Sequence, residues 1–189
     1  MKNIFIVHGS FGNPQENWIP WLKAQCEEVG YVVTVPTFPS GDEQNYDNWM
    51  KVIEPHLPMF DEETILVGHS IGPAFILGVL EKLNKPIKKS ILVSGFLGLL
   101  GDKKFDAVNE TISNREFDFK KIREASGEFV ILHGSDDPYV PVGKAEELGL
   151  LLNIKPIIVP HGGHLNMDAG FVEFPLLLNH IQNNILLQP

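Results

Sequence analysis

Cysteine is nearly absent from the chain. The single thiol, Cys26, has no partner for an internal disulfide, so nothing in the sequence requires an oxidising compartment. Positive charge is also scarce: 15 Lys and Arg stand against 24 Asp and Glu, a formal net charge of −9. That balance repels nucleic-acid phosphates and anionic membrane surfaces, which argues against both as main partners. No apolar run approaches the roughly 18 residues of a membrane-spanning helix. The opening MKNIFIVHGS carries an apolar run shorter than the roughly 7–15 residues of a signal-peptide core, with no small-residue cleavage site after it. It reads as a first strand, and a cytoplasmic location is expected. Low-complexity segments and Pro/Ser-rich linkers are missing, so residues 1–189 are expected to form one domain. There is no phosphate-loop motif, no complete G-x-G-x-x-G after a strand and no H-E-x-x-H. No cofactor and no metal are expected.

What is present is a regular alternation. Short Ile- and Val-rich runs occur at Ile4–Val7, Tyr31–Val35, Thr64–Val67, Ser90–Val93, Phe129–Leu132 and Pro156–Val159. They are continuous rather than alternating, as strands buried on both faces require. Between them lie stretches with apolar residues at three- and four-residue spacing, predicting helices at Trp18–Val29, Tyr46–Leu57, Pro73–Leu83, Gly143–Leu152 and Phe171–Leu187. This alternation predicts an α/β fold with a parallel sheet. The long connection Gly95–Ala125 is expected to hold a crossover helix and a partial cover over a site.

Three of the runs end in small-residue turns, in FIVHGS, ILVGHS and VILHGS. The carboxyl ends of parallel strands are where open α/β sheets bind ligands. The sharpest of these turns is Gly68-His69-Ser70-Ile71-Gly72, set between an apolar strand and an apolar helix. That is the context in which G-x-S-x-G forms a nucleophile elbow, lifting Ser70 above the sheet edge. The Ile71 N–H then faces the position where negative charge develops on a substrate carbonyl. A serine needs a base, and the base an orienting acid. Two downstream loops supply them in the order Ser, Asp, His: HGSDDPYVP from His133 and HGGHLN from His161. Asp137 is preferred to Asp136 for its spacing to Val140 and Pro141. His164 is preferred to His161 because two glycines free the loop before it. A second oxyanion donor is expected from the loop after the first strand, Ser10 first and Phe11 second, with His8 shaping that loop.

GHSIG, GSDDPYVP and HGGHLN together resemble the α/β-hydrolase superfamily. More closely, they resemble its compact branch of small serine hydrolases that includes retinoblastoma-binding protein 9. The resemblance runs from FIVHGSFGNPQENWIPWL to the final helix. It implies a compact α/β-hydrolase fold with a six-stranded, mainly parallel sheet, helices on both faces and a minimal cap. It also implies a Ser70–His164–Asp137 triad and cofactor-free, esterase-like cleavage of a small ester, thioester or amide. The rival reading is a non-catalytic protein-interaction module on a hydrolase scaffold, using aromatics near Phe96, Phe105, Phe117 and Phe119 as a contact surface.

Overall fold

A computed structural model describes residues 2–182. Six parallel strands form one sheet: β1 (Asn3–Val7), β2 (Val32–Thr34), β3 (Thr64–His69), β4 (Lys89–Val93), β5 (Phe129–Gly134) and β6 (Ile157–Val159), in the order β2-β1-β3-β4-β5-β6. Seven helices flank it among the described residues: α1 (Ile19–Glu28), α2 (Tyr46–Ile53), α3 (Gly72–Leu80), α4 (Lys103–Ser113), α5 (Phe119–Glu124), α6 (Val142–Leu152) and α7 (Pro175–Gln182). None of them is long and apolar enough to cross a membrane.

The pleat sends alternate strand residues to opposite faces, and each face has its own core. Ile4, Ile6, Ile65 and Val67 pack with Trp18, Leu22 and Cys26 around α1, and with Leu177 and Ile181 of α7. Phe5, Val7 and Leu66 face the other way, against Trp49 of α2, Ala74, Phe75, Leu77 and Leu80 of α3, and Ala145 and Leu148 of α6. Every residue of α3 is buried. This fits its lack of a polar stripe, since it lies between the sheet and the helices outside it.

Local chemistry sets several boundaries. Helix α2 stops at Ile53 and tightens into a 3₁₀ turn over Glu54–Met59, where Pro55 and Pro58 cannot supply helical N–H donors. The expected helix to Leu57 is therefore shorter. Asp102 caps α4 by accepting from the N–H groups of Lys104 and Phe105. The connection at 95–125 thus holds two helices, α4 and α5, rather than one. The final helix starts at Pro175, later than Phe171, and its expected extension to Leu187 lies outside the described residues. Burial on both faces holds for the central strands but not for β6, whose Ile157 and Ile158 are exposed at the sheet edge.

The chain leaves β1 for β2 on one side and later returns to β3 on the other. The crevice between the carboxyl ends of β1 and β3 is the topological switch point, where such sheets place ligands.

Candidate active site

Ser70 sits at that switch point with φ of +61°, in the left-handed region that costs a non-glycine residue about 1–3 kcal/mol. The surroundings enforce the turn. Ser70 N–H donates to the Val93 carbonyl at 2.9 Å. A Cβ on Gly68 would lie 2.7 Å from the Gly72 carbonyl carbon, and one on Gly72 would lie 2.7 Å from the Val7 carbonyl oxygen. A Cβ on Gly9, after β1, would come within 3.0 Å of the Ser70 Cβ, so backbone without a side chain is needed there too.

The loops after β5 and β6 meet beside the elbow. Asp137 Oδ1 accepts from the N–H groups of Tyr139 and Val140, both at 2.9 Å, and Oδ2 accepts from His164 Nδ1 at 2.7 Å. Burial pushes the Asp137 carboxyl up, but the hydrogen bond and charge of His164, with the two N–H donors, outweigh it and hold the group below its usual range. With Nδ1–H directed at Asp137, His164 keeps Nε2 free of that contact. Asp136 instead accepts from Gly163 N–H at 2.9 Å, and His161 is largely solvent-exposed beside it. Gly134 lies directly against the Gly163 carbonyl, a contact that a side chain would prevent. His133 is fully buried and donates from Nε2 to the Val140 carbonyl at 2.9 Å, fixing the far end of the acid loop.

Sequence reasoning missed the residues that hold the His164 backbone. His69 donates from Nε2 to the His164 carbonyl at 3.0 Å, and the Ser94 hydroxyl donates to the same oxygen at 3.2 Å. Burial first, then the neighbouring His164, push the His69 imidazole down to about 3, so it is neutral. Trp18 is fully buried and donates from Nε1 to the Leu165 carbonyl at 3.0 Å. The one available signal was a histidine set among small residues at the end of an apolar strand.

His8 behaves as a loop-shaping residue. Its Nε2 accepts from Phe38 N–H at 3.0 Å, so Nδ1 carries the proton and donates to the Gly9 carbonyl at 2.9 Å. Burial lowers its pKa. Phe11 adopts φ of +57°, and Gly12 N–H closes the turn onto the Gly9 carbonyl. Among the described residues, the backbone N–H groups of Ser10, Phe11 and Ile71 have no hydrogen-bond partner.

Ser70 and His164 line one cavity of about 690 Å³, a size that holds a small organic molecule. Ser10, Phe105, Asn109 and Tyr139 also line it, so part of the 95–125 connection does cover the site. The aromatics expected to form a contact surface are divided between the core and the cavity. Phe96 is buried, Phe117 and Phe119 pack on the core, and Phe105 faces the cavity.

The family model for serine hydrolases matches residues 4–183. The chain belongs to the serine hydrolase family. Among curated members and relatives, the YdeN protein of Bacillus subtilis is 29% identical over 178 residues, covering 93% of this chain and 92% of YdeN. The serine hydrolase RBBP9 of Rattus norvegicus is 26% identical over 165 residues, 84% of each chain. The crystal structure of B. subtilis YdeN superposes with a TM-score of 0.90 at 27% identity, covering 97% of this chain and 98% of that one. This serine hydrolase also shares its fold with Est1E of Butyrivibrio proteoclasticus bound to ferulic acid, at a TM-score of 0.73 and 17% identity, over 98% and 88% of the two chains.

Proposed function

We propose that the chain is a carboxylesterase-like hydrolase working through an acyl-Ser70 intermediate, with Asp137 and His164 completing the triad. The observation that carries this reading is the 2.7 Å hydrogen bond from His164 Nδ1 to Asp137, made beside a positive-φ serine on the same cavity. His164 Nε2 takes the Ser70 hydroxyl proton as Oγ attacks the carbonyl carbon. The oxyanion is received by the N–H groups of Ile71 and Ser10, with Phe11 as the alternative to Ser10; their lack of other partners supports this. Collapse of the tetrahedral adduct breaks the bond to the alcohol, which leaves with the proton from His164. Water then adds to the acyl carbon with His164 again as base, releasing the acid and restoring Ser70. Asp137 holds the productive tautomer and stabilises the imidazolium. No step asks for a cofactor, and the lone buried thiol of Cys26 is in keeping with a cytoplasmic location.

The substrate is a small ester, with thioesters and amides as the related classes, in keeping with the cavity of about 690 Å³ that adjoins Ser70. A fluorophosphonate probe tests the reading directly. It is expected to label the native protein and not Ser70→Ala. Folded native protein that resists labelling would overturn the enzymatic reading in favour of an interaction module.

A further inference from the structure

Asn109, on α4, is 2% exposed and yet forms part of the cavity wall. Its side chain belongs to a three-residue network. Ser10 Oγ donates to Asn109 Oδ1 at 2.6 Å, and Gln44 Nε2 donates to the same oxygen at 2.7 Å. The orientation of these amides follows from their neighbours. Gln44 Nε2 also lies 3.4 Å from the Val108 carbonyl, which can only accept, so the nitrogen end of Gln44 faces inward. The Asn109 atom facing Gln44 must then be oxygen, and Nδ2 is turned to the other side. Among the described residues Asn109 Nδ2 has no hydrogen-bond partner. It is also not among the fully enclosed polar atoms that lack one, which are Gln44 Oε1 and His133 Nδ1. Within a buried residue on the cavity wall, that amide donor is open to the cavity.

We propose that Asn109 is a substrate-recognition residue, its Nδ2–H donating to an uncharged oxygen acceptor that the substrate carries apart from its scissile carbonyl. The proposal rests on the hydrolase reading above. An amide donor held by two bonds to its own oxygen is preorganised, so it binds an acceptor without first paying to be ordered. The acceptor is uncharged because the cavity is lined by Glu16, Asp102 and Asp168 and by no Lys or Arg, an environment hostile to carboxylates and phosphates. The remaining wall near Asn109 includes Phe96, Leu100 and Phe105, which suits an otherwise apolar body. The favoured class is therefore a neutral, mostly apolar ester with one ether, hydroxyl or carbonyl oxygen on its acyl or alcohol part.

The test scans one ether oxygen through otherwise identical p-nitrophenyl alkanoates, and through the alcohol part of matched butyrate esters. Each kcat/KM is divided by that of the all-carbon isostere after correction for alkaline reactivity. One net neutral hydrogen bond predicts a preference of up to about tenfold at one oxygen position. Asn109→Asp keeps the Oδ1 that Ser10 and Gln44 bind while replacing the donor, and is expected to abolish that preference. Asn109→Ser, whose hydroxyl is too short to reach the acceptor, is expected to do the same should the aspartate variant fail to fold. The within-protein ratio cancels any general loss of activity. Wild-type ratios near one at every position overturn the proposal without any variant, as does a preference that survives in a folded variant. Failure to hydrolyse any ester in either scan would instead sink the carboxylesterase reading on which it stands.

Discussion

His164 is tied to Asp137 at one end of its residue and to His69 at the other: Nδ1 donates to the carboxylate at 2.7 Å, while the carbonyl accepts from the His69 ring at 3.0 Å. Ring and backbone are thus fixed by different elements, the loop after β5 and the turn after β3. Asp137→Asn is expected to lower kcat by roughly 10³–10⁴-fold by favouring the wrong tautomer. Asp136→Asn, which only weakens the bond to Gly163 N–H, is expected to stay within a few-fold of wild type. Steady-state kinetics on one p-nitrophenyl ester separate the two; equal losses would contradict the assignment of the acid.

The elbow glycines are steric requirements. Gly72→Ala places a Cβ 2.7 Å from the Val7 carbonyl oxygen, and neither the strand backbone at Val7 nor the buried start of α3 can yield cheaply. Destabilisation of about 1–3 kcal/mol is expected from overpacking, read as a shift of the urea midpoint. Gly143→Ala, at a position with open space, serves as the comparison and should shift it little.

Three buried histidines give the fold an acid-side weakness. His8, His69 and His133 all have pKa values pushed down by burial, that of His69 to about 3. In the unfolded chain they take up protons below the ordinary value of 6.5, whereas in the folded protein they resist. Stability is therefore complete above pH 6.5 and falls with pH, by up to about 1.4 kcal/mol per unit for each such group. Asp137, held below its ordinary 3.8, adds stability above that value and loses it only further down, so it does not contribute to the decline between 6.5 and 4. Urea unfolding at pH 7 and pH 5 should show the loss, and His69→Gln should reduce it. An unchanged pH dependence in that variant would assign the effect elsewhere.

Trp18 latches the loop that carries His164. Trp18→Phe leaves the Leu165 carbonyl without its buried donor and is expected to cost about 1–3 kcal/mol. Because His164 is the adjacent residue, kcat should fall more than KM rises; an unchanged kcat would show that the latch serves folding alone.

Legibility in the sequence followed the range of the interactions concerned. Strands β1, β3, β4 and β5 announce themselves through continuous Ile and Val runs, because burial on both faces favours apolar side chains along most of each strand. The glycines of GHSIG were readable for the same local reason: the turn is built within five residues. The edge strand β6 carries an equally apolar run but is exposed, since nothing in Ile157-Ile158-Val159 says on which side of the sheet it will lie. Asn109 was invisible. Its partner Ser10 is 99 residues away, and an asparagine in an otherwise polar helix gives no sign of being buried until the helix is packed.

That edge strand carries an unusual responsibility. It pairs with β5 over only three residues, Ile157 to Val159, and its outer side is open to water. Elements so lightly attached open locally at a free-energy cost well below that of global unfolding. The loop bearing the proposed base follows directly from it, whereas Ser70 follows a strand enclosed between two others. Fraying at this margin would disconnect the base from the nucleophile while the rest of the sheet stays intact. Heat or denaturant should therefore silence the protein before melting it, once the bonds from Trp18, His69 and Ser94 that also hold this loop give way.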